Sequence, residues 1–122
     1  MRYLGIDYGE KRIGLAVSDH DGKIAFPRKV VSRLAEVIEF IQNEDVGQVV
    51  IGLPLAANGG KTEATTAVTT FADELGRAVE LPIVFENEVF TSKIAERTSA
   101  RERADAAAAA LILQSFLDKQ VK

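Results

Sequence analysis

The chain has no cysteine, a single histidine, three prolines and no surplus of basic residues. Without cysteine there is neither a disulfide framework nor a thiolate metal site, a composition that suits a reducing compartment, so any bound metal must rest on oxygen ligands. The one histidine, His20, lies in the turn His20-Asp21-Gly22 away from the candidate acids, which reads as a solvated turn residue and not as a general base. A formal charge of −3 and a pI near 5.2 argue against a protein coated in nucleic acid, so such a role needs a local basic patch. No apolar run approaches the roughly 18 residues that span a bilayer, which excludes membrane insertion. Met1-Arg2 leads straight into a strand-like stretch without the pattern of a secretory signal, so a cytoplasmic location is expected. There is no serine triad, no P-loop, no repeat and no low-complexity linker.

What is present is one domain's worth of patterned sequence, 122 residues with 47% hydrophobic and 27% charged side chains, read as a single domain over 1–122. Arg2 to Asp7 and Arg12 to Asp19 have the character of strands joined by the turn Tyr8-Gly9-Glu10-Lys11, and a short third strand is expected around Lys23 to Phe26. From Ser32, a plausible cap, the period becomes helical through Leu34, Val37, Ile38 and Ile41. Gln48 to Leu53 is a compact apolar run of the parallel-sheet kind, ended by Pro54 and followed by a loop through Lys61. Ala64, Ala67, Val68, Phe71, Ala72 and Leu75 mark a second helix, and Pro82 to Glu88 a fifth strand. A short helix over Thr91 to Thr98 precedes a long one, opened by the capping box Ser99-Ala100-Arg101-Glu102 and running to about Lys119. Right-handed crossovers then predict an α/β fold: a five-stranded mixed sheet of order 3-2-1-4-5 with helices on both faces.

Three acids stand in apolar surroundings. Asp7 ends the first strand where the connectivity of such a sheet reverses, the usual place of a ligand crevice, although an aspartate before a glycine also serves as a simple turn cap. Asp105 shares a helical stripe with Ala109, Ile112 and Phe116, so it faces the core. A lone buried carboxylate costs on the order of several kcal/mol unless paired or metal-bound, and a structural pair with Arg12 or Arg101 is the alternative. Glu88 leaves the fifth strand and gains significance only in company, since a glutamate there is often merely solvated. Carboxylates alone suit Mg²⁺ or Mn²⁺, and metals held by aspartates can activate water and stabilise the leaving oxygen of a phosphodiester, which is the hydrolysis of nucleic acid. Lys11, Arg12, Lys61, Lys93, Arg97, Arg101 and Arg103 fall on loops or helix ends from which they could reach phosphates; scattered solvated charge is the competing account.

These residues form motifs. Leu4-Gly5-Ile6-Asp7-Tyr8-Gly9-x-Lys11-Arg12-Ile13-Gly14-x-Ala16-x-Ser18-Asp19, Val50-Ile51-Gly52-Leu53-Pro54, Asn87-Glu88-x-x-Thr91-Ser92 and Asp105-x-Ala107-Ala108 resemble, in order and along the whole chain, those of the YqgF (RuvX) family of RNase H-like nucleases. The resemblance implies a nuclease maturing the 5' end of pre-16S rRNA in ribosome biogenesis, with a Holliday junction resolvase as the alternative. It implies metal binding and catalysis by Asp7, Glu88 and Asp105; beside it, the residues' own chemistry points to Lys11, Arg12, Lys61 and Arg101 as nucleic-acid contacts, Mg²⁺ or Mn²⁺ as cofactor, and RNA before DNA as partner of a monomer or homodimer. One departure stands out: the family usually reads Asp-Glu-Arg where this chain has Asn87-Glu88-Val89, one acid and one base fewer. That departure leaves room for a non-catalytic nucleic-acid-binding module on the same fold. An actin-like or sugar-kinase-like phosphate loop at Gly5 to Gly9 is disfavoured by length, since those enzymes close two such domains around a nucleotide.

Overall fold

Period-two and helical stretches alternate along the chain as β1 (Arg2–Tyr8), β2 (Ile13–Ser18), β3 (Ala25–Val31), α1 (Leu34–Asn43), β4 (Val46–Leu53), α2 (Glu63–Ala78), β5 (Ile83–Asn87) and a last helix, α3 (Arg101–Gln120). The computed structural model describes residues 1–54, 62–87 and 101–120, with 101–104 described by backbone alone. The strands form one sheet in the order β3-β2-β1-β4-β5, as expected. β1 is antiparallel to β2 and parallel to β4, β4 is parallel to β5, and β2 pairs antiparallel with β3.

Because side chains alternate across a strand, each strand supplies two layers. One layer, with Leu4, Ile6, Ile13, Leu15, Val49 and Ile51, packs against Val37, Phe40 and Ile41 of α1 and Val68, Phe71, Ala72 and Leu75 of α2. The other, with Ala16 and Val50, packs against Ala109, Ile112, Leu113 and Leu117 of α3. Helices therefore cover both faces. Among the described residues no helix is long and apolar enough to cross a membrane.

The structure corrects two local readings. The third strand runs over Ala25–Val31 and so extends five residues beyond Phe26. Proline removes a ladder donor, but here Pro27 sits on the sheet edge, next to the register shift at Leu15/Ala16, where that loss is tolerated. Ser32 does not cap α1. Arg33 holds the N-cap position without a side-chain cap bond, and the Ser32 amide and hydroxyl instead donate to Glu36 Oε1, at 3.0 and 2.9 Å. A capping box does open α2, where Thr65 N donates to Thr62 Oγ1 at 3.2 Å and Thr62 N to Thr65 Oγ1 at 3.0 Å. The expected helix over 91–98 and the Ser99 cap lie outside the described residues.

Candidate active site

The strand that carries Asp7 turns Tyr3, Gly5 and Asp7 to the α3 face, since Leu4 and Ile6 fill the opposite layer. Asp7 stands directly opposite Gly14 of β2 in the antiparallel register, so the two share that face. A Cβ on Gly14 would run into the backbone carbonyl of Asp105. The α3 backbone thus rests on the strand at Gly14, and it does so again at Gly5, where a Cβ would lie 2.7 Å from Leu113 Cβ and 2.8 Å from the Ala109 carbonyl oxygen. Two glycines let the helix descend onto β1 and β2, and the contact at Gly14 sets Asp105 beside the position opposite Asp7. Both carboxylates are half-buried, and Asp105 Oδ2 is shielded from solvent.

The cationic candidates divide. Lys11 is exposed and Arg12 half-buried on the β1–β2 turn, which the Gly9 amide closes by donating to the Arg12 carbonyl at 2.9 Å. The pair borders a cavity of about 250 Å³ shared with Val30, Val31, Ser32 and Glu36. Among the described residues Arg12 Nη1 is buried without a hydrogen-bond partner. Glu88, Lys61, Lys93 and Arg97 lie outside the described residues, as do the side chains of Arg101 and Arg103. Among the described residues no group of three possible metal-binding side chains converges. His20 is exposed in its turn, 4.0 Å from Asp45 Oδ2, past the end of β2 opposite to the one that carries Gly14.

One acid went unnoticed in the sequence. Glu86, 5% exposed, accepts from Ser115 Oγ at 2.8 Å and Lys119 Nζ at 2.6 Å, tying β5 to the end of α3. Its alternation with Val84 was the signal that it faces α3.

A model of the family described as "RuvX: Holliday junction resolvase" matches residues 1–119. The chain belongs to the RuvX family. Relatives at full length agree. A candidate pre-16S rRNA nuclease of Maridesulfovibrio salexigens is 41% identical, covering 96% of this chain and 98% of its own. One of Oleidesulfovibrio alaskensis is 39% identical over 97% and 92%, and one of Rickettsia felis 34% over 98% and 87%. Among solved structures, Thermus thermophilus RuvC in complex with a Holliday junction substrate matches with a TM-score of 0.64 at 17% identity, covering 99% of this chain and 96% of that one. Another T. thermophilus RuvC structure gives 0.56 at 18%, over 98% and 96%. The RuvX chain thus shares the RNase H-like fold of RuvC.

Proposed function

We propose that this RuvX-family chain is a metal-dependent nuclease, acting as one domain over residues 1–122 to hydrolyse phosphodiester bonds at the 5' end of pre-16S rRNA. The observation that supports the reading is the register: Asp7 opposite Gly14 at the carboxyl end of the central strand, and Gly14 against the Asp105 backbone. The donor set fits a hard divalent cation, Mg²⁺ or Mn²⁺, because every candidate ligand is an oxygen. Asp7 and Asp105 would hold it, with Glu88 as third ligand. When bound, such a cation supplies Lewis acidity toward the attacking water and the leaving oxygen. The chain's own part is to hold these carboxylates in place on α3 and β1, while Lys11, Arg12, Lys61 and Arg101 grip flanking phosphates. RNA in the cytoplasm is the substrate, and the protein acts as a monomer or homodimer. Relatives at 34–41% identity that are themselves named for pre-16S rRNA support the choice of RNA.

The family description favours a second substrate, the Holliday junction. A labelled panel of ribosomal RNA precursor, single-stranded RNA and DNA, and a four-way junction decides. Mn²⁺-dependent cleavage of the RNA precursor, lost in Asp7→Asn, supports the proposal, and preference for the junction substitutes the second reading. Binding with no cleavage above the Asp7→Asn control would leave a non-catalytic module.

A further inference from the structure

Beside Asp7, but across the strand from it, lies a cavity that the proposed hydrolysis leaves unused. Its volume is about 250 Å³, and Tyr8, Pro54, Ala64 and Ala67 line it together with Glu10 and Glu63. The end of β1 and its turn, the residue after β4 and the first turns of α2 build it. It therefore occupies the crevice between the carboxyl ends of β1 and β4, where the sheet's connectivity reverses and open α/β sheets receive ligands. Its walls are held in place: the Tyr8 ring stacks on Phe71 with centroids 4.5 Å apart, and the Thr65 hydroxyl, part of the α2 capping box, donates to the Pro54 carbonyl.

The lining decides the occupant. Among the described residues that line it, the charged side chains are the carboxylates of Glu10 and Glu63. Carboxylates beside apolar walls fit a flat, neutral ring with N–H donors along one edge. The volume falls below the roughly 300–1,000 Å³ typical of pockets for drug-sized ligands, which leaves room for one ring system. We propose that this crevice is a slot for a single unpaired nucleobase, and that it takes guanine in preference to uracil. Guanine presents adjacent N1–H and N2–H donors that one carboxylate accepts together, whereas the same edge of uracil offers one donor between two carbonyl oxygens. Reach is no obstacle, because Tyr8 follows Asp7 directly, their Cα atoms about 3.8 Å apart and their side chains on opposite faces. A strand with its phosphate at Asp7 can lay a neighbouring base over the strand end. The slot rests on the reading of the chain as a nucleic-acid-acting protein, but not on its cleaving anything.

Amide chemical-shift titrations of the full chain with guanosine, inosine and uridine 5'-monophosphates test it. Guanosine monophosphate should give saturable shifts at Tyr8, Ala64 and Ala67. Uridine monophosphate should bind roughly five-fold or more weakly, the low end of what one base-edge contact contributes, with inosine, which lacks the 2-amino group, between them. Ala64→Met, at an exposed helical position that tolerates a longer side chain, should fill the slot and abolish the shifts, and Glu63→Gln should erase the preference for guanosine without changing the fold's other signals. Equal shifts for all three nucleotides, none at these amides, or shifts unchanged in Ala64→Met would overturn the slot. So would tighter binding of agmatine than of guanosine monophosphate, which would assign the crevice to a cationic side chain of a protein partner. Nucleotide binding here without cleavage of the substrate panel would remove the nuclease reading and leave the slot standing; cleavage without nucleotide binding would do the reverse.

Discussion

On the face covered by α1 and α2 the inner strands present Leu4, Ile6, Leu15 and Ile51, all at 0% exposure, whereas toward α3 the same strands present Gly5, Gly14, Ala16 and Val50. The first face buries large apolar area, which is what stabilises a small domain. The second has little side-chain volume to bury, and its small residues serve a different end: they let a helix backbone lie directly on two strands, which sets the backbone of Asp105 against Gly14, the residue opposite Asp7. On the proposed reading, stability and chemistry fall on opposite sides of one sheet. Substitutions on the two faces should separate in the same way.

The largest effect is expected from Asp7→Asn. Metal-dependent cleavage should fall roughly a hundred-fold or more, the scale of several kcal/mol that a metal contributes to a transition state, while binding of the RNA precursor barely changes. The variant's melting temperature without metal should equal or exceed that of wild type, and the rise that millimolar Mn²⁺ gives wild type should vanish. Next comes Gly14→Val, which forces a branched side chain into the Asp105 backbone. A backbone cannot step aside as a flexible side chain can, so the expected loss is about 3 kcal/mol or more in urea unfolding, together with the metal response.

Ile51→Ala is the counterpart on the other face. It should cost about 2–5 kcal/mol in urea unfolding and leave the cleavage rate of the folded fraction unchanged; a comparable loss of cleavage would mean the two faces are coupled. Thr62→Ala, which removes the α2 cap, should cost only about 1 kcal/mol by the same measurement.

The smallest effect concerns acid. The Lys23 amide, donating at 2.8 Å to Asp19 Oδ1, holds that exposed carboxyl below its ordinary range. The Ser32 amide does the same to Glu36. Their folded-state values lie below the unfolded ones, so their contribution is complete above the ordinary carboxylate range and is lost as pH falls through the lowered values. Melting temperature followed from pH 7 downward should therefore drop less steeply at the acid end in Asp19→Asn than in wild type. Equal slopes would show that the turn bond carries no such linkage.

Much of this was legible in the chain because it is local. Asp7 at a strand end, the stripe through Asp105, Ala109 and Ile112, and the change of period after the antiparallel strands all follow from spacing within one element. The end of β3 was hidden because Pro27 argues against a strand unless one knows that it lies on an edge next to an irregular register. Ser32 was misread as a cap because the hydroxyl that a helix start invites can equally donate to a glutamate one turn on, here Glu36. Gly14 stands inside the expected second strand, and only the docked helix shows that its missing Cβ makes room for Asp105. The crevice of Tyr8, Pro54 and Ala67 joins three segments far apart in sequence, so no local pattern marks it.

The central claim is that the carboxylates of Asp7 and Asp105 form one cation site, and calorimetric titration of Mn²⁺ into wild type, Asp7→Asn, Asp105→Asn and the double variant tests it most directly. Each single substitution should weaken binding by roughly ten-fold or more, and the double variant should lose clearly less than the sum of the two losses, because either change already breaks the shared site. Wild-type affinity in Asp7→Asn, or losses that simply add, would contradict it.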